Sequence, residues 1–219
     1  MLTDPINISI SDQIEKGTRS FENIDLTDCD LSRLDLSGCE FLRCNLLGSD
    51  FSGTDLTDSQ WTGSKLSGAC LKSVDATGAT FTSCELSNTN WTRSQLNQAT
   101  FKQCKLTGAN FDDCRLLDVN FVESLLVSVL LPNVSFRKTT LKKLDFSDAD
   151  LRGGDFRDCN FESCSLRGTS LGSCRFEGAD LRGCDLGALN LNEAAVLKGA
   201  VISKDQASDL LQAYGLRVL

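Results

Sequence analysis

The sequence predicts an all-β solenoid, a fold in which short repeats wind into stacked coils. Three observations predict it: a large apolar residue recurs at every fifth position, a small residue stands two positions before it, and the kind of large residue repeats at every twentieth position. Neither a helix of 3.6 residues per turn nor a strand of period two gives a strict spacing of five. An internal repeat therefore organises the 219-residue chain.

The large apolar residues, which we call the large positions, begin at Phe21 and end at Leu191. They form 35 consecutive positions in one frame, and only Ala76 among them is not a large apolar residue. The frame contains no insertion or deletion. Side chains with this regularity are expected to fill a continuous core.

The second signal lies two residues before each large position, at what we call the small positions. Ten of the eleven cysteines stand there, most of the remaining small positions hold Ala, Ser, Thr or Val, and only Cys70 lies outside this register. A small residue at every fifth position indicates a crowded inward corner beside the large side chain. We interpret these cysteines as compact buried hydrophobic residues.

The length of one coil can be tested by sampling every fourth large position. One set is mostly aromatic and its neighbour is almost entirely leucine: Phe21, Phe41, Trp61, Phe81, Phe101 and Phe121, beside Leu26, Leu46, Leu66, Leu86, Leu106 and Leu126. An aromatic column beside a leucine column is expected if rings stack on rings in successive coils. The sequence thus supports a coil of four five-residue repeats.

This repeat resembles that of the pentapeptide-repeat family, whose unit is A(D/N)LXX. The unit is clearest at residues 149–153 and 179–183, and the resemblance covers residues from about 20 to about 195. It implies a right-handed quadrilateral β-helix in which four repeats complete each coil. For this chain it implies about nine coils, followed by a C-terminal α-helix.

The two ends lack the repeat and predict separate segments. Residues 1–18 form an N-terminal lead, in which Ile6, Ile8 and Ile10 alternate with polar residues. We expect a short strand or a cap over the first coil there, followed by a β-helix over residues 19–201.

Residues 202–219 are predicted to form a helix. Ser203 and Gln206 have capping-box spacing, Gly215 suits the helix end, and the apolar residues have helical spacing: Ala207, Leu210, Leu211 and Tyr214. This helix is either a lid on the last coil or the interface of a homodimer, and one helix can do both.

Two stretches of the surface are candidate binding sites for a partner. Outward positions between 117 and 132 become apolar, at Leu117, Val122, Leu125, Val127 and Leu130. Such an exposed apolar patch usually marks a contact site, unless the N-terminal segment or a loop covers it.

The other candidate is acidic. Asp35, Asp55 and Asp75 recur at every twentieth position, and a second group consists of Asp112, Asp113, Asp118 and Glu123. An alternative explanation is local, because Asp or Asn before the large residue favours the turn. Residues 20–192 contain 24 acidic and 17 basic residues, so only a one-sided arrangement could imitate the charge of DNA.

Composition excludes several other functions. The formal net charge is −8 and there is no His, which argues against direct nucleic-acid binding and against His-based catalysis. We find no catalytic constellation, metal site or cofactor motif. Cys84/Cys104 and Cys164/Cys184 should stack in adjacent coils, so disulfides are conceivable there. With no signal peptide and no apolar stretch of about 18 residues, we expect a cytoplasmic protein that makes no membrane contact.

The tail also resembles the C-terminal helix of the Qnr group, over residues 202–211 and at Gly215 and Val218. These bacterial pentapeptide-repeat proteins protect DNA gyrase and topoisomerase IV from quinolones. The resemblance implies a homodimer joined through the C-terminal helix, with an acidic surface that resembles duplex DNA. Many members carry loops that interrupt the repeat, and this sequence has none. The alternative is an adaptor or immunity solenoid whose partner docks on the apolar patch.

Overall fold

A computed structural model describes residues 5–187, 189, 194–212 and 215–218, with side chains from Ile10 onward. The chain divides into two compact units, Met1–Ser124 (unit 1) and Leu125–Leu219 (unit 2). Each unit is a parallel β-solenoid in which one turn takes four repeats, and the described residues make about eight turns. The predicted fold class is therefore confirmed. The count is slightly below nine because the last repeats, up to Leu191, lie partly outside the described residues.

Unit 1 begins with a helix, α1 (Pro5–Glu15), and continues with six short strands in one parallel sheet. Each strand pairs with the strand one turn later, so that Phe21 faces Phe41 and Phe41 faces Trp61. The strands are β1 (Ser20–Glu22), β2 (Glu40–Leu42), β3 (Gln60–Thr62), β4 (Thr80–Thr82), β5 (Thr100–Lys102) and β6 (Asn120–Val122).

Unit 2 contains a second parallel sheet of three strands, namely β7 (Thr140–Lys142), β8 (Asn160–Ser165) and β9 (Asp180–Asp185). A short 3-10 helix follows at Ala195–Leu197, and Val201 then forms a parallel bridge with Asp180. The C-terminal helix, α2, spans Lys204–Gln212.

The expected strand over Ile6, Ile8 and Ile10 is wrong, because these residues lie in α1. Pro5 is the first residue of the helix, where its fixed φ and missing N–H are well tolerated. Ile6, Ile10 and Ile14 are spaced by four, which fits a helix as well as the alternation fits a strand. Ile10 is buried and Ile14 is half-buried, so the helical spacing describes the segment.

The core consists of the large and small positions, as predicted. Phe41 and Trp61 stack with ring centroids 4.0 Å apart, and both are buried. The small positions do more than fill space. The thiol of Cys44 donates to the carbonyl of Phe21 at 3.4 Å, and the hydroxyl of Ser64 donates to the carbonyl of Phe41 at 3.2 Å. Cys and Ser therefore interchange here because both satisfy a carbonyl one coil earlier.

The corners of the coils lie two residues after the large positions and have positive φ. At Gly78, with φ +71°, a Cβ atom would clash with Oδ1 of Asp58 in the preceding coil. At Gly68, with φ +74°, a Cβ would meet nothing within 4 Å, because the corner residue one coil earlier is Gly48. The two glycines thus share a backbone conformation but differ in their surroundings.

We expect Gly68→Ala to destabilise unit 1 by about 1–2 kcal/mol, the cost of a left-handed conformation for a residue with a Cβ. Gly78→Ala should lose slightly more, because the exposed Asp58 carboxylate would have to turn aside from the new methyl group. The free energy of urea unfolding measures both effects. Adding Asp58→Ala should remove the extra loss at position 78 but leave position 68 unchanged; equal losses at the two glycines would refute the contact.

Candidate functional site

The acidic column predicted at Asp35, Asp55 and Asp75 lies on one side of unit 1. Parallel bridges join Asp35 to Asp55 and Asp55 to Asp75, so the three residues occupy successive coils. The spacing of neighbouring strands places their backbones about 4.8 Å apart. Asp35 and Asp55 are exposed and Asp75 is half-buried. The column continues with the neutral Gln95 and the basic Arg115, so its run of negative charge ends at Asp75.

Each carboxylate of this column also has a local structural role. The backbone N–H groups of Ser37, Thr57 and Thr77 donate to the aspartate two residues before them, at 3.0, 2.9 and 3.0 Å. These bonds agree with the local explanation for Asp before a large residue. The Ser37 hydroxyl and N–H lower the pKa of Asp35. The local role therefore keeps that carboxylate ionised at neutral pH.

A second acidic column lies on the neighbouring side, at Asp30 and Asp50. The N–H groups of Ser32 and Ser52 donate to these carboxylates at 3.0 and 2.8 Å. The predicted site omitted both residues, although their spacing of one coil marks a column in the same way. Asp58 is an additional exposed carboxylate in the same coils.

Most of these carboxylates are not neutralised by a direct ion pair. Among the described residues, no Lys or Arg nitrogen lies within 4.0 Å of the carboxylates of Asp30, Asp50, Asp55 or Asp75. Asp35 has a loose partner, Arg19, at 3.5 Å. The acidic columns therefore carry most of their formal charge.

The negative charge of the protein is concentrated at one place in the sequence. Residues 1–124 contain 18 acidic and 10 basic residues, for a net charge of −8, whereas residues 125–219 contain 12 of each. Residues 20–60 alone contain nine acidic and two basic residues, for a net charge of −7. They form about two coils, or about 10 Å of solenoid. That is one net charge per roughly 1.4 Å, close to the one per roughly 1.7 Å of duplex DNA.

The second predicted acidic group lies in the last coil of unit 1 and is not a column. Asp113, Asp118 and Glu123 occupy three successive corners, with φ of 57°, 55° and 50°, and Asp112 precedes the first of them. The three aspartates are exposed, while Glu123 is half-buried and accepts a hydrogen bond from Gln103 at 3.0 Å. Gln95 and Arg115 interrupt the column between the two groups, so the structure does not join them into one stripe.

In unit 2 several carboxylates form ion pairs with arginines. Nε and a terminal nitrogen of Arg157 donate to the Asp155 carboxylate at 2.9 and 2.7 Å, and a terminal nitrogen of Arg175 donates to it at 2.9 Å. These arginines lower the pKa of Asp155 to about 2. The same two-residue spacing produces the pairs Asp150–Arg152 and Asp180–Arg182. Unit 2 therefore presents paired charges where unit 1 presents unpaired ones.

The residues of the predicted apolar patch are distributed over both units. In unit 1, Leu117 is 67 % exposed and Val122 is half-buried. In unit 2, Leu125 is 47 % exposed, and Val127 and Leu130 are half-buried. Leu117 and Leu125 are thus the members that a partner could reach most fully.

The C-terminal helix begins with the predicted capping box. The N–H of Ser203 donates to Oε1 of Gln206 at 2.7 Å, and the N–H of Gln206 donates to the Ser203 hydroxyl at 3.1 Å. The amide nitrogen of Gln206 also donates to the carbonyls of Leu181 and Cys184, at 2.8 and 2.6 Å. No pattern in the sequence indicates this anchor, which fastens the helix to the last described coil.

The apolar residues of α2 remain accessible. Ala207 and Leu210 are half-buried, Leu211 is 37 % exposed, and Tyr214 lies outside the described residues. Leu210 lines a shallow apolar groove of about 360 Å³, together with Ala194, Ala195, Leu197, Lys198, Ala200 and Ile202. No residue of Lys204–Gln212 is buried, so the helix keeps an apolar face available for a partner.

The described residues contain no group of three or more His, Cys, Asp and Glu side chains that could hold a metal ion. All eleven cysteines are free thiols. No described helix is long and apolar enough to cross a membrane. The arrangement offers charged and apolar surfaces for binding.

Comparisons with known proteins place these features in a family. The family model for pentapeptide repeats (8 copies) matches residues 20–58, 44–82, 120–158 and 159–194, and the model for a pentapeptide repeat region matches residues 74–129. No curated protein sequence matches the chain at a significant level.

Several solved structures are similar to this chain. Two trypsin-treated variants of QnrB1, a plasmid-mediated fluoroquinolone resistance protein, give TM-scores of 0.78 and 0.68 at 21 % identity; the matches cover 90 and 91 % of this chain and 99 % of each of those chains. HetL, a pentapeptide repeat protein involved in heterocyst differentiation regulation from the cyanobacterium Nostoc, gives a TM-score of 0.36 at 21 % identity, with 89 % of both chains covered. The QnrB1 variants share the fold described above. With its repeat frame, its coils of four repeats and these family matches, the chain belongs to the pentapeptide-repeat family.

Proposed function

We propose that this chain is a non-enzymatic cytoplasmic protein that binds DNA gyrase or topoisomerase IV in place of DNA and protects the enzyme from quinolones. The observation that carries the proposal is the charge of residues 20–60, a net −7 within about two coils. Asp30, Asp35, Asp50 and Asp55 form two neighbouring columns there. A protein surface with the linear charge density of a duplex fits a groove that binds phosphates.

The similarity to QnrB1 supports the choice of partner. That protein is a fluoroquinolone resistance protein, and quinolones act on gyrase and topoisomerase IV. The proposal places the contact at the first coils of unit 1, because unit 2 contains equal numbers of acidic and basic residues. The partner surface would be rich in Lys and Arg.

A binding measurement tests this proposal directly. Immobilised gyrase should bind the chain, duplex DNA should compete with it, and affinity should fall as salt concentration rises. Simultaneous binding of DNA and the chain to one enzyme would exclude a DNA-like contact.

We propose that the homodimer forms through α2, where Leu210 is half-buried and Leu211 is exposed. Leu210→Asp combined with Leu211→Asp should give a folded monomer, because four new carboxylates would meet across a twofold axis without partners. Light scattering measures the mass in solution. Ser208→Asp with Gln212→Asp adds the same charge to another face of the helix and should leave the dimer intact. A dimer mass for the leucine variant would refute this interface.

The second candidate function is that of an adaptor or immunity protein, favoured by the exposure of Leu117 and Leu125. Here Leu117→Ser with Leu125→Ser would abolish capture of the partner, whereas neutralising the acidic columns would not. Loss of gyrase binding with the acidic variant alone would instead select the first function.

A further inference from the structure

Two pairs of cysteines occupy equivalent inward positions of the repeat, one pair in each unit. The small positions that precede the leucine column hold Cys84 and Cys104 in unit 1, and Cys164 and Cys184 in unit 2, and the members of each pair are one coil apart. No other two cysteines of the sequence have this spacing in one column. All four thiols are free.

The backbone geometry allows a cross-link between the members of each pair. Ser165 pairs with Asp185 in parallel β8 and β9, and Cys164 and Cys184 are the residues immediately before them, next to a register shift between Glu162 and Ser165. Neighbouring strands lie about 4.8 Å apart, which falls in the range of roughly 4.4–6.8 Å between Cα atoms that a disulfide requires. Cys164 and Cys184 are only 4 % and 5 % exposed. Burial raises the pKa of both thiols, and the neighbouring Cys164 raises that of Cys184 further.

The position of the second pair distinguishes it from the first. Cys184 lies in β9, the last strand among the described residues of unit 2, and its carbonyl accepts the hydrogen bond from Gln206 that anchors α2. Cys84 and Cys104 lie within unit 1, with complete coils before and after them. In repeat proteins the terminal coils have fewer neighbours and open at a lower free energy than central ones. Of the two stacked pairs, Cys164 and Cys184 in the last described coil are therefore expected to reach solvent before Cys84 and Cys104.

We propose that Cys164 and Cys184 form a peroxide-sensitive dithiol that cross-links the last coil of the solenoid. When the coil opens, one thiolate attacks hydrogen peroxide and is oxidised to a sulfenic acid, and the peroxide is reduced to water. The second thiol then attacks the sulfenic sulfur, a disulfide forms, and a second water leaves. The sum is two thiols and one peroxide converted to one disulfide and two waters. Peroxide is the oxidant, and thiol exchange reverses the step.

The cross-link would fasten β9 to β8 and with it the carbonyls of Leu181 and Cys184 that hold Gln206. Oxidation would therefore stabilise the attachment of α2 without changing its surface. The inference does not depend on the proposed function, because it concerns only this end of unit 2.

The experiment is timed oxidation of the native chain by hydrogen peroxide, followed by denaturing alkylation and peptide mapping. The Cys164–Cys184 disulfide should form at least 10-fold faster than Cys84–Cys104, whose members are 1 % and 2 % exposed and serve as the matched internal control. A hydrogen bond from Cys104 lowers the pKa of Cys84. If thiol acidity rather than coil opening set the rate, the order would be reversed.

Oxidation should also raise the unfolding temperature of unit 2, on the order of 10 °C for a loop of this length. Cys184→Ser should abolish that rise, and it should fold, because buried serine occupies the equivalent repeat position at Ser64 and Ser124 of unit 1. The proposal is overturned if Cys164 and Cys184 remain thiols while the half-exposed Cys70 and Cys114 are oxidised. It is equally overturned if both stacked pairs oxidise at the same rate.

Discussion

Replacing Asp30, Asp35, Asp50 and Asp55 with asparagine is expected to slow the association of the chain with gyrase about 10- to 1,000-fold. The four charges removed belong to the segment of net charge −7 that the proposal places against the enzyme. The fold should survive, because an amide oxygen can accept the same backbone hydrogen bond. Asn90 already does so, accepting from the N–H of Thr92 at 3.1 Å. Stopped-flow kinetics or surface plasmon resonance at low salt measures the association rate.

The matched control removes four aspartates with the same local role from unit 2: Asp145, Asp150, Asp180 and Asp185, each replaced by asparagine. Each accepts an N–H two residues later, as the unit 1 aspartates do. Both variants change the net charge from −8 to −4. A similar loss of association rate in the two variants would mean that total charge, and not the acidic columns, governs binding.

Trp61→Ala is expected to destabilise unit 1 by about 3–5 kcal/mol. The indole is fully buried, stacks on Phe41 and Phe81, and meets the edge of Phe51 at 5.9 Å. Its N–H donates to the Ser59 hydroxyl at 2.9 Å. Removing it leaves a cavity in the middle of the aromatic column. Urea unfolding followed by circular dichroism measures the loss.

Trp61→Phe is the control for this variant, because phenylalanine occupies the same column in the coils before and after. Ser59 keeps its bond to the carbonyl of Leu56 at 2.6 Å, so no buried hydroxyl is stranded. We expect the Phe variant to lose less than half of what the Ala variant loses. A loss below about 1 kcal/mol for Trp61→Ala would contradict the stacked core.

The repeat made most of the fold predictable. A large residue at every fifth position leaves one arrangement that buries all of them, and the aromatic column from Phe21 to Phe121 specifies the coil length. The sequence could not assign α1, because Ile6, Ile8 and Ile10 fit a strand while Ile6, Ile10 and Ile14 fit a helix. It also contains no break in frame at Ser124, where the structure divides into two compact units.

The candidate site was partly predictable from the spacing of its aspartates. The structure shows that pairing of the carboxylate depends in part on the residue two positions after the aspartate. In unit 1 a Ser or Thr stands two residues after each aspartate of the acidic columns, as at Asp35-Leu36-Ser37, and the carboxylate keeps its charge. In unit 2 an arginine often stands two residues after the aspartate, as at Asp150-Leu151-Arg152, and binds the carboxylate through two of its nitrogens. Asp followed two residues later by Arg therefore indicates a neutralised position. The anchor from Gln206 could not be predicted, because it joins carbonyls that lie more than one coil earlier in the sequence.

The most direct test of the proposed function is gyrase supercoiling in the presence of ciprofloxacin, a quinolone, with the purified chain titrated in. The account predicts that supercoiling recovers as the chain is added, and that the variant lacking Asp30, Asp35, Asp50 and Asp55 fails to restore it while the unit 2 control does. If ciprofloxacin still inhibits supercoiling at concentrations where the chain occupies the enzyme, protection is contradicted. Recovery with the acidic variant would contradict the role of the acidic columns.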